Sequence, residues 1–133
     1  MTAKAVELVY VDTSVFLAYL QRESVAPRDE FWSLRLCTSR LTEYEALTRL
    51  HQTGDEKAVE ACHQLLARVR FLELSPVVLQ RARQPWPTHV RTLDALHLAS
   101  VLYLQNSVSV RLATYDKRMA ETAVALETSL YPL

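Results

Sequence analysis

Apolar positions along the chain fall into two kinds of run, which predict alternating strands and helices. Short runs of β-branched and aromatic residues predict buried strands, whereas apolar residues spaced three or four apart predict amphipathic helices. The predicted strands are residues 6–11, 35–39, 70–74 and 109–115, with a short closing strand at 128–133. The predicted helices are residues 14–22, 28–34, 40–54, 55–69, 76–83, 92–105 and 116–126.

This alternation predicts an α/β fold, because strands joined through helices form parallel sheets with helices packed on their faces. We expect one domain over residues 1–133, with a short central parallel sheet of about four to five strands flanked by helices. The length of 133 residues fits a single domain. Gly54 is the only glycine, which excludes a glycine-rich phosphate-binding loop and argues against an all-β fold with tight hairpins.

Composition and charge leave the class of partner open. Half of the residues are hydrophobic, and 15 basic residues balance 15 acidic ones, so any argument for nucleic-acid binding must be local. Cys37 and Cys62 lack a metal-binding spacing, so we expect two reduced core thiols of a cytoplasmic protein. The first residues lack a signal-peptide pattern and no apolar run approaches about 20 residues, so we expect no membrane association.

Four acidic residues are predicted to meet at one edge of the sheet. Asp12 directly follows the first strand, and Asp116 directly follows the strand at 109–115. Asp94 lies in the first turn of a helix for which Thr92 is the expected cap, and Glu45 lies near the start of the helix that follows residue 39. In alternating α/β folds the carboxyl ends of the strands and the starts of the helices share one edge, where ligands bind.

A carboxylate cluster of this kind has a definite chemistry. Like charges a few ångströms apart repel, so a cluster that stays ionised requires a cation. All-oxygen ligands favour Mg²⁺ or Mn²⁺ over zinc, and such ions promote displacement at phosphorus. Neighbouring hydroxyls would orient the carboxylates; they belong to Thr13, Ser14 and Thr114. Taken singly, each acid could instead be a helix cap or, for Glu45, an ion-pair partner of Arg49.

Four segments resemble the motifs of the PIN-domain family, and most closely those of the VapC-type toxin ribonucleases of toxin–antitoxin pairs. The segments are "VYVDTSVFLAYL", "TSRLTEYEAL", "LDALHLASVL" and "LATYDKRMAETA". They occur in the expected order over nearly the whole chain and supply Asp12, Glu45, Asp94 and Asp116 in turn. A departure is that the glycine usual in this family after the last helix is absent near "VALETSL".

The resemblance implies metal-dependent cleavage of RNA phosphodiester bonds. It implies that the four acids are the catalytic residues and bind one or two Mg²⁺ or Mn²⁺ ions. It also implies a homodimer that is inhibited by a small VapB-type antitoxin, which lies across the groove and sends a basic side chain towards the acids.

Several assignments stay open within this interpretation. Glu43, two residues before Glu45, is an alternative second acid. His97 lies three residues after Asp94, and we expect it to be a packed or supporting residue and not a ligand. Basic residues in or near the motifs are candidates for phosphate contacts, namely Arg40, Arg91, Arg111, Lys117 and Arg118.

Three alternatives to the nuclease share part of this sequence pattern. A metal-dependent phosphatase of the haloacid-dehalogenase type needs a second Asp at position 14, where this chain has Ser14. A receiver domain needs a phosphoacceptor Asp after a central strand, which "CTSRL" and "FLELS" do not supply. A catalytically silent PIN-like scaffold that binds RNA or protein is the remaining alternative, and the complete set of acids argues against it.

Overall fold

The computed structural model describes residues 7–133, which form one α/β domain. The strands in this range are β1 (Leu8–Val11), β2 (Leu36–Ser39), β3 (Arg70–Leu72) and β4 (Val110–Ala113). The α-helices are α1 (Thr13–Leu20), α2 (Arg40–Thr53), α3 (Glu56–Leu66), α4 (Pro76–Ala82), α5 (Thr92–Gln105) and α6 (Lys117–Ala125). A short 3₁₀ helix spans Asp29–Ser33. The predicted start of the first strand at Val6 lies outside the described residues.

The strands form a parallel sheet in the order β3-β2-β1-β4, which confirms the predicted fold class. The first strand lies in the interior, with Tyr10 opposite Cys37 of β2 and Leu112 of β4. Because β1 and β4 are parallel neighbours, the residues that follow them reach the same edge. The fold therefore brings Asp12 and the 114–116 segment together.

Helices cover both faces of the sheet. The sheet divides the core in two, because successive strand side chains point to opposite faces. Val9 and Val11 belong to one core, which the residues of α1, α2 and α3 complete. Tyr10 belongs to the other core, together with Leu98 of α5 and Met119 of α6. Tyr10 thus points away from α1, towards the face that α5 covers.

Two predicted elements differ in the structure. The predicted helix at 28–34 is a single five-residue 3₁₀ turn, because the chain is extended at both flanking residues, Arg28 and Leu34. Phe31 and Trp32, which are adjacent in sequence, are both buried there. The predicted closing strand at 128–133 is reduced to one parallel bridge between Leu112 and Leu130.

Some predicted boundaries were wrong by a few residues. Thr92 is the first residue of α5 and not its cap; Arg91 occupies the cap position and makes no side-chain capping bond. The third strand ends at Leu72, because the chain turns where the Ser75 N–H donates to the Glu73 carbonyl at 2.9 Å. The helix predicted to reach residue 69 ends at Leu66.

Both cysteines are free and buried, as predicted. Burial raises the pKa of the Cys37 thiol to about 12, so it stays protonated. None of the helices in residues 7–133 combines the length and the apolar character that crossing a bilayer would need.

Candidate active site

Asp12 is the most deeply buried acid at the carboxyl edge of the sheet, with 2% of its surface exposed. It occupies the cap position of α1, but its carboxylate makes no capping bond to that helix. Instead Oδ1 accepts a hydrogen bond from Ser14 Oγ and Oδ2 accepts one from Thr114 Oγ1, both at 2.6 Å. Burial raises the pKa of Asp12, and the two hydroxyls and nearby His97 partly offset that effect. The carboxylate is thus held in one orientation at a cost in solvation.

The same two hydroxyls join the ends of β1 and β4. Ser14 Oγ accepts the Tyr115 N–H at 2.9 Å, and Thr114 Oγ1 accepts the Asp116 N–H at 2.9 Å. Since each hydroxyl accepts from the backbone, each is left to donate its own proton to Asp12. The predicted supporting roles of Ser14 and Thr114 therefore have a geometric basis in the orientation of Asp12.

Glu45 reaches the same region from the second turn of α2. Its Oε1 accepts a hydrogen bond from Thr13 Oγ1 at 2.6 Å and lies 2.8 Å from His97 Nε2. Partial burial acts to raise the pKa of Glu45, but the bonds from His97 and Thr13 outweigh burial and the pKa lies below its ordinary value. Glu45 is therefore an ionised carboxylate held by two donors. Arg49 forms no ion pair with it among the described residues.

A buried tyrosine determines how His97 meets Glu45. Tyr10 is fully buried, and its hydroxyl lies 2.9 Å from His97 Nδ1. Burial, followed by the charge of Asp12, raises the pKa of Tyr10 far above its ordinary value, so the phenol keeps its proton and donates it. Nδ1 then accepts, which assigns the proton of a neutral imidazole to Nε2, the nitrogen that faces Glu45. His97 is buried and hydrogen-bonded at both nitrogens, as expected for a supporting residue.

Asp94 and Asp116 are the outer two of the four acids, and both pair with the guanidinium of Arg91. Arg91 Nε lies 3.3 Å from Asp94 Oδ2, and its Nη2 lies 3.5 Å from Asp116 Oδ2. Burial and the neighbouring charge of Asp116 raise the pKa of Asp94, against the attraction of Arg91 and His97. The two carboxylates are therefore close enough to repel each other.

Asp116 also begins the last helix. Its Oδ1 accepts the N–H groups of Arg118 at 2.9 Å and Met119 at 3.2 Å, which is a side-chain cap of α6. The capping role and the place beside Asp94 use different oxygens, Oδ1 and Oδ2. Asp116 is thus both a structural residue and a member of the acidic group.

The four predicted acids come together, but not as a preformed ligand set. Thr114 Oγ1 donates to Asp12 and accepts the Asp116 N–H, and Arg91 pairs with both Asp116 and Asp94. Thr13, the residue after Asp12, donates to Glu45. Among residues 7–133, however, no three side chains of His, Cys, Asp or Glu stand together as a group that could hold a metal ion. The donor chemistry fits a hard divalent cation, because the acids offer oxygen ligands and a nearby positive charge would lower the raised pKa values of Asp12 and Asp94.

Other predicted residues lie outside this network of contacts. Glu43 pairs with Arg40 at 3.4 Å, and Arg40 pairs with Glu73 at 2.9 Å. Arg111 pairs with Glu7 at 3.2 Å. Glu45, and not Glu43, is therefore the glutamate of α2 that joins the other acids.

Lys117 and Arg118 are exposed in the first turn of α6, next to Asp116. Arg118 lines a small pocket together with Arg91 and Asp94. Arg91, Lys117 and Arg118 are thus three exposed basic residues next to the outer acids.

Sequence reasoning missed two features of the site. The first is the Tyr10–His97 hydrogen bond, which joins residues 87 positions apart and has no local signal. The second is the bridge that Arg91 makes from Asp94 to Asp116. The spacing of three residues between Arg91 and Asp94 was a usable signal for half of that bridge.

Comparison with known proteins identifies the family of the chain. The model of the PIN domain family matches residues 9–125. The chain is 36% identical over 121 residues to Ribonuclease VapC46 of Mycobacterium tuberculosis, covering 89% of this chain and 92% of that protein. It is 31% identical over 132 residues to Ribonuclease VapC35 of the same species, covering 92% and 95%.

Solved structures share the fold at low sequence identity. A toxin–antitoxin complex from Klebsiella pneumoniae contains a chain that aligns with a TM-score of 0.68 at 15% identity, covering 94% of this chain and 98% of that one. Such a likeness supports the architecture alone. Together, the family match over most of the sequence and two relatives above 30% identity establish that the chain belongs to the PIN domain family.

Proposed function

We propose that this chain is an endoribonuclease that hydrolyses RNA phosphodiester bonds with Mg²⁺ or Mn²⁺ as its cofactor. The observation that carries the proposal is that carboxylates from four separate chain segments are linked by direct contacts at one edge of the sheet. Thr114 links Asp12 to the Asp116 backbone, Arg91 pairs with Asp116 and Asp94, and Thr13, the residue after Asp12, donates to Glu45. Family membership and the ribonuclease names of the two M. tuberculosis relatives support it. Cellular RNA as substrate would place the activity in the cytoplasm.

Asp12, Glu45, Asp94 and Asp116 are the residues proposed to hold one or two divalent ions. A bound ion of this kind supplies an activated water and stabilises the charge that develops at phosphorus. The chain contributes the orientation of the ligands: Ser14 and Thr114 fix Asp12, while Thr13 and His97 fix Glu45. Ligands that are oriented in advance need little rearrangement when the ion arrives.

Arg91, Lys117 and Arg118 are proposed to contact the phosphates of the RNA. Their side chains are exposed beside Asp94 and Asp116, where a scissile phosphate would have to lie. Contacts of this kind position the RNA backbone without reading its sequence. Arg40 and Arg111 are left out of the proposal because other carboxylates already hold them.

The test compares two glutamates of one helix. Purified protein is expected to cleave RNA, to stop when EDTA removes divalent ions, and to resume when Mg²⁺ or Mn²⁺ is restored. Glu45→Gln is expected to lower cleavage by at least about a hundredfold, because a proposed ligand loses its charge. Glu43→Gln, two positions away and paired with Arg40, is the matched control and is expected to retain activity.

Cleavage that persists in EDTA would rule out the proposed chemistry. Equal losses in Glu45→Gln and Glu43→Gln would contradict the assignment of the second acid. Binding of Mn²⁺ and RNA without any cleavage would favour the silent scaffold.

We also propose that the chain is the toxin of a toxin–antitoxin pair, that it forms a homodimer and that a VapB-type antitoxin inhibits it. The VapC names of the relatives support the toxin assignment, and the homodimer and the antitoxin follow from the resemblance of the four motifs to that family. Expression of the chain alone is expected to arrest bacterial growth, and co-expression of a short neighbouring reading frame is expected to restore it. Growth arrest by Glu45→Gln as strong as that by the wild type would contradict a toxic nuclease.

A further inference from the structure

Among the ion pairs of the described residues, Arg91 is the one cation that bridges the two outer acids, Asp94 and Asp116. Its Nε faces Asp94 Oδ2 at 3.3 Å and its Nη2 faces Asp116 Oδ2 at 3.5 Å. Asp94 lies in the first turn of α5 and Asp116 precedes α6, so the guanidinium joins two elements. In Asp116 the oxygen that faces Arg91, Oδ2, is the one that the helix cap leaves free, because the cap uses Oδ1.

The Arg91 guanidinium is placed so that another cation could replace it between the two acids. The Arg91 side chain is 61% exposed, whereas the two carboxylates are 22% exposed, so the arginine can move into solvent while the acids stay in place. Exposed ion pairs of this kind are weak. A divalent ion between the same oxygens would repel the guanidinium and take over its role as counter-charge.

We propose that Arg91 is an internal counter-ion that competes with the divalent cation for Asp94 and Asp116. It thereby sets the cation concentration at which the site is loaded. This inference rests on the proposed function, because it takes Asp94 and Asp116 as ligands of the cation. Before loading, Arg91 keeps the two like charges together; after loading, the released side chain is free to contact phosphate.

Arg40 provides a control with the same architecture. Its guanidinium also bridges two carboxylates, Glu73 at 2.9 Å and Glu43 at 3.4 Å, and its side chain is 46% exposed. Neither of these acids belongs to the proposed site. Arg40→Ala therefore removes one positive charge and one bridging arginine without freeing a proposed ligand.

The experiment is calorimetric titration with Mn²⁺ in the absence of RNA. Arg91→Ala is expected to bind Mn²⁺ about threefold to tenfold more tightly than the wild type, because the competitor is gone. Arg91→Lys, which keeps the charge but loses the planar fork, is expected to fall between them. Arg40→Ala is expected to bind as the wild type does, and circular dichroism checks that every variant is folded.

A second measurement uses the unaltered protein. In nuclear magnetic resonance spectra the side-chain Nε–H signal of Arg91 is expected to shift as Mg²⁺ is added, while that of Arg40 stays in place. This readout does not depend on how any variant folds.

The outcomes separate this inference from the proposed function. Mn²⁺ uptake by the wild type with an unchanged affinity in Arg91→Ala would overturn the competition and leave the nuclease intact. Weaker binding by Arg91→Ala would show that the arginine organises the ligands, which also overturns the inference. Absence of Mn²⁺ uptake by wild type and variant alike would overturn both proposals.

Discussion

The hydroxyl of Tyr10 acts on Glu45 through two hydrogen bonds, with the imidazole of His97 between them. Because Tyr10 donates to Nδ1, it sets which nitrogen presents a proton to the carboxylate. A residue with no access to solvent thus orients a carboxylate at the edge of the sheet. This role is one of positioning, since Tyr10 itself lies too deep to touch a substrate.

Tyr10→Phe tests this role. The change leaves Nδ1 of His97 buried without a donor, which is expected to lower the free energy of unfolding by about 1–3 kcal/mol. Cleavage of RNA is expected to fall by about tenfold through kcat, because Glu45 loses its fixed orientation. Denaturant unfolding and steady-state kinetics measure the two effects.

Tyr19→Phe is the matched control for the lost hydroxyl. Tyr19 donates to Asp29 at 2.7 Å in an exposed bond, so its removal is expected to leave cleavage unchanged. If Tyr10→Phe cleaves RNA as the wild type does, the tyrosine serves packing alone.

The raised pKa of Asp94 predicts a pH-dependent stability. Its folded-state pKa lies above the ordinary value of 3.8, so ionisation of Asp94 lowers the free energy of unfolding. Without divalent ions, Asp94→Asn is therefore expected to unfold at higher denaturant concentration than the wild type at neutral pH. The gap is expected to close as the pH falls through the folded-state pKa and to vanish below about 3.8, where both states are protonated.

Denaturant titrations at several pH values measure this gap. Saturating Mg²⁺ is expected to reverse the order at neutral pH, because only the wild type keeps the proposed ligand. A variant that is less stable by the same amount at every pH would instead identify Asp94 as a structural residue.

Single residues differed in how well the sequence predicted them. Asp12 and Asp116 follow from the rule that parallel strands end at one edge. Asp116 does not directly follow its strand as predicted, because β4 ends at Ala113, three residues earlier. The choice of Glu45 over Glu43 rested on the spacing of a family motif, and the contacts agree with it. The Tyr10–His97 bond depends on side-chain directions in two distant elements, which no local pattern encodes.

Among the elements, α6 depends on an acid that also belongs to the site. Asp116→Asn keeps an oxygen that can cap the helix but loses the charge, so we expect near-wild-type stability and loss of RNA cleavage. Asp116→Ala loses both and is expected to lower the free energy of unfolding by about 1 kcal/mol. Thermal or denaturant unfolding beside a cleavage assay separates capping from chemistry; equal stability of the two variants would mean that the cap contributes little.

The elements themselves were predictable where a cap and a periodic pattern coincide. Helices α2, α3 and α4 begin after Ser39, Asp55 and Ser75, whose side chains accept from the first turn as their residue types predict. The prediction failed at 28–34, where two adjacent buried aromatics favour a tight turn over a longer helix. It also failed at the closing strand, where the structure has a single bridge from Leu130 to Leu112 of β4.

For the molecule as a whole, a net charge of zero confines attraction for RNA to local groups. We expect the salt dependence of RNA binding, measured with a cleavage-deficient Asp12→Asn variant, to arise around α6. Replacing both Lys117 and Arg118 by Gln is expected to lower the slope of log K against log salt by about 1.4, at about 0.7 for each lost contact with a single strand.

Arg22→Gln combined with Arg28→Gln is the charge-matched control. Both residues are exposed beyond the far end of α1, whose start lies at the acids. The slope is expected to stay as in the parent protein. Equal reductions in the two double variants would mean that RNA responds to overall charge and not to the edge of the site.

The interior position of β1 has a consequence for protein synthesis. Of the four strands of the described sheet, the ribosome makes β1 before the others. Its neighbour β4 and the hydroxyl that holds Asp12 come about a hundred residues later, at a separation of 102 positions for Thr114. A nascent chain that still lacks residues 110–116 has neither that neighbour nor the fourth acid. A product terminated before this point therefore lacks one of the four proposed ligands and the hydroxyl that orients another.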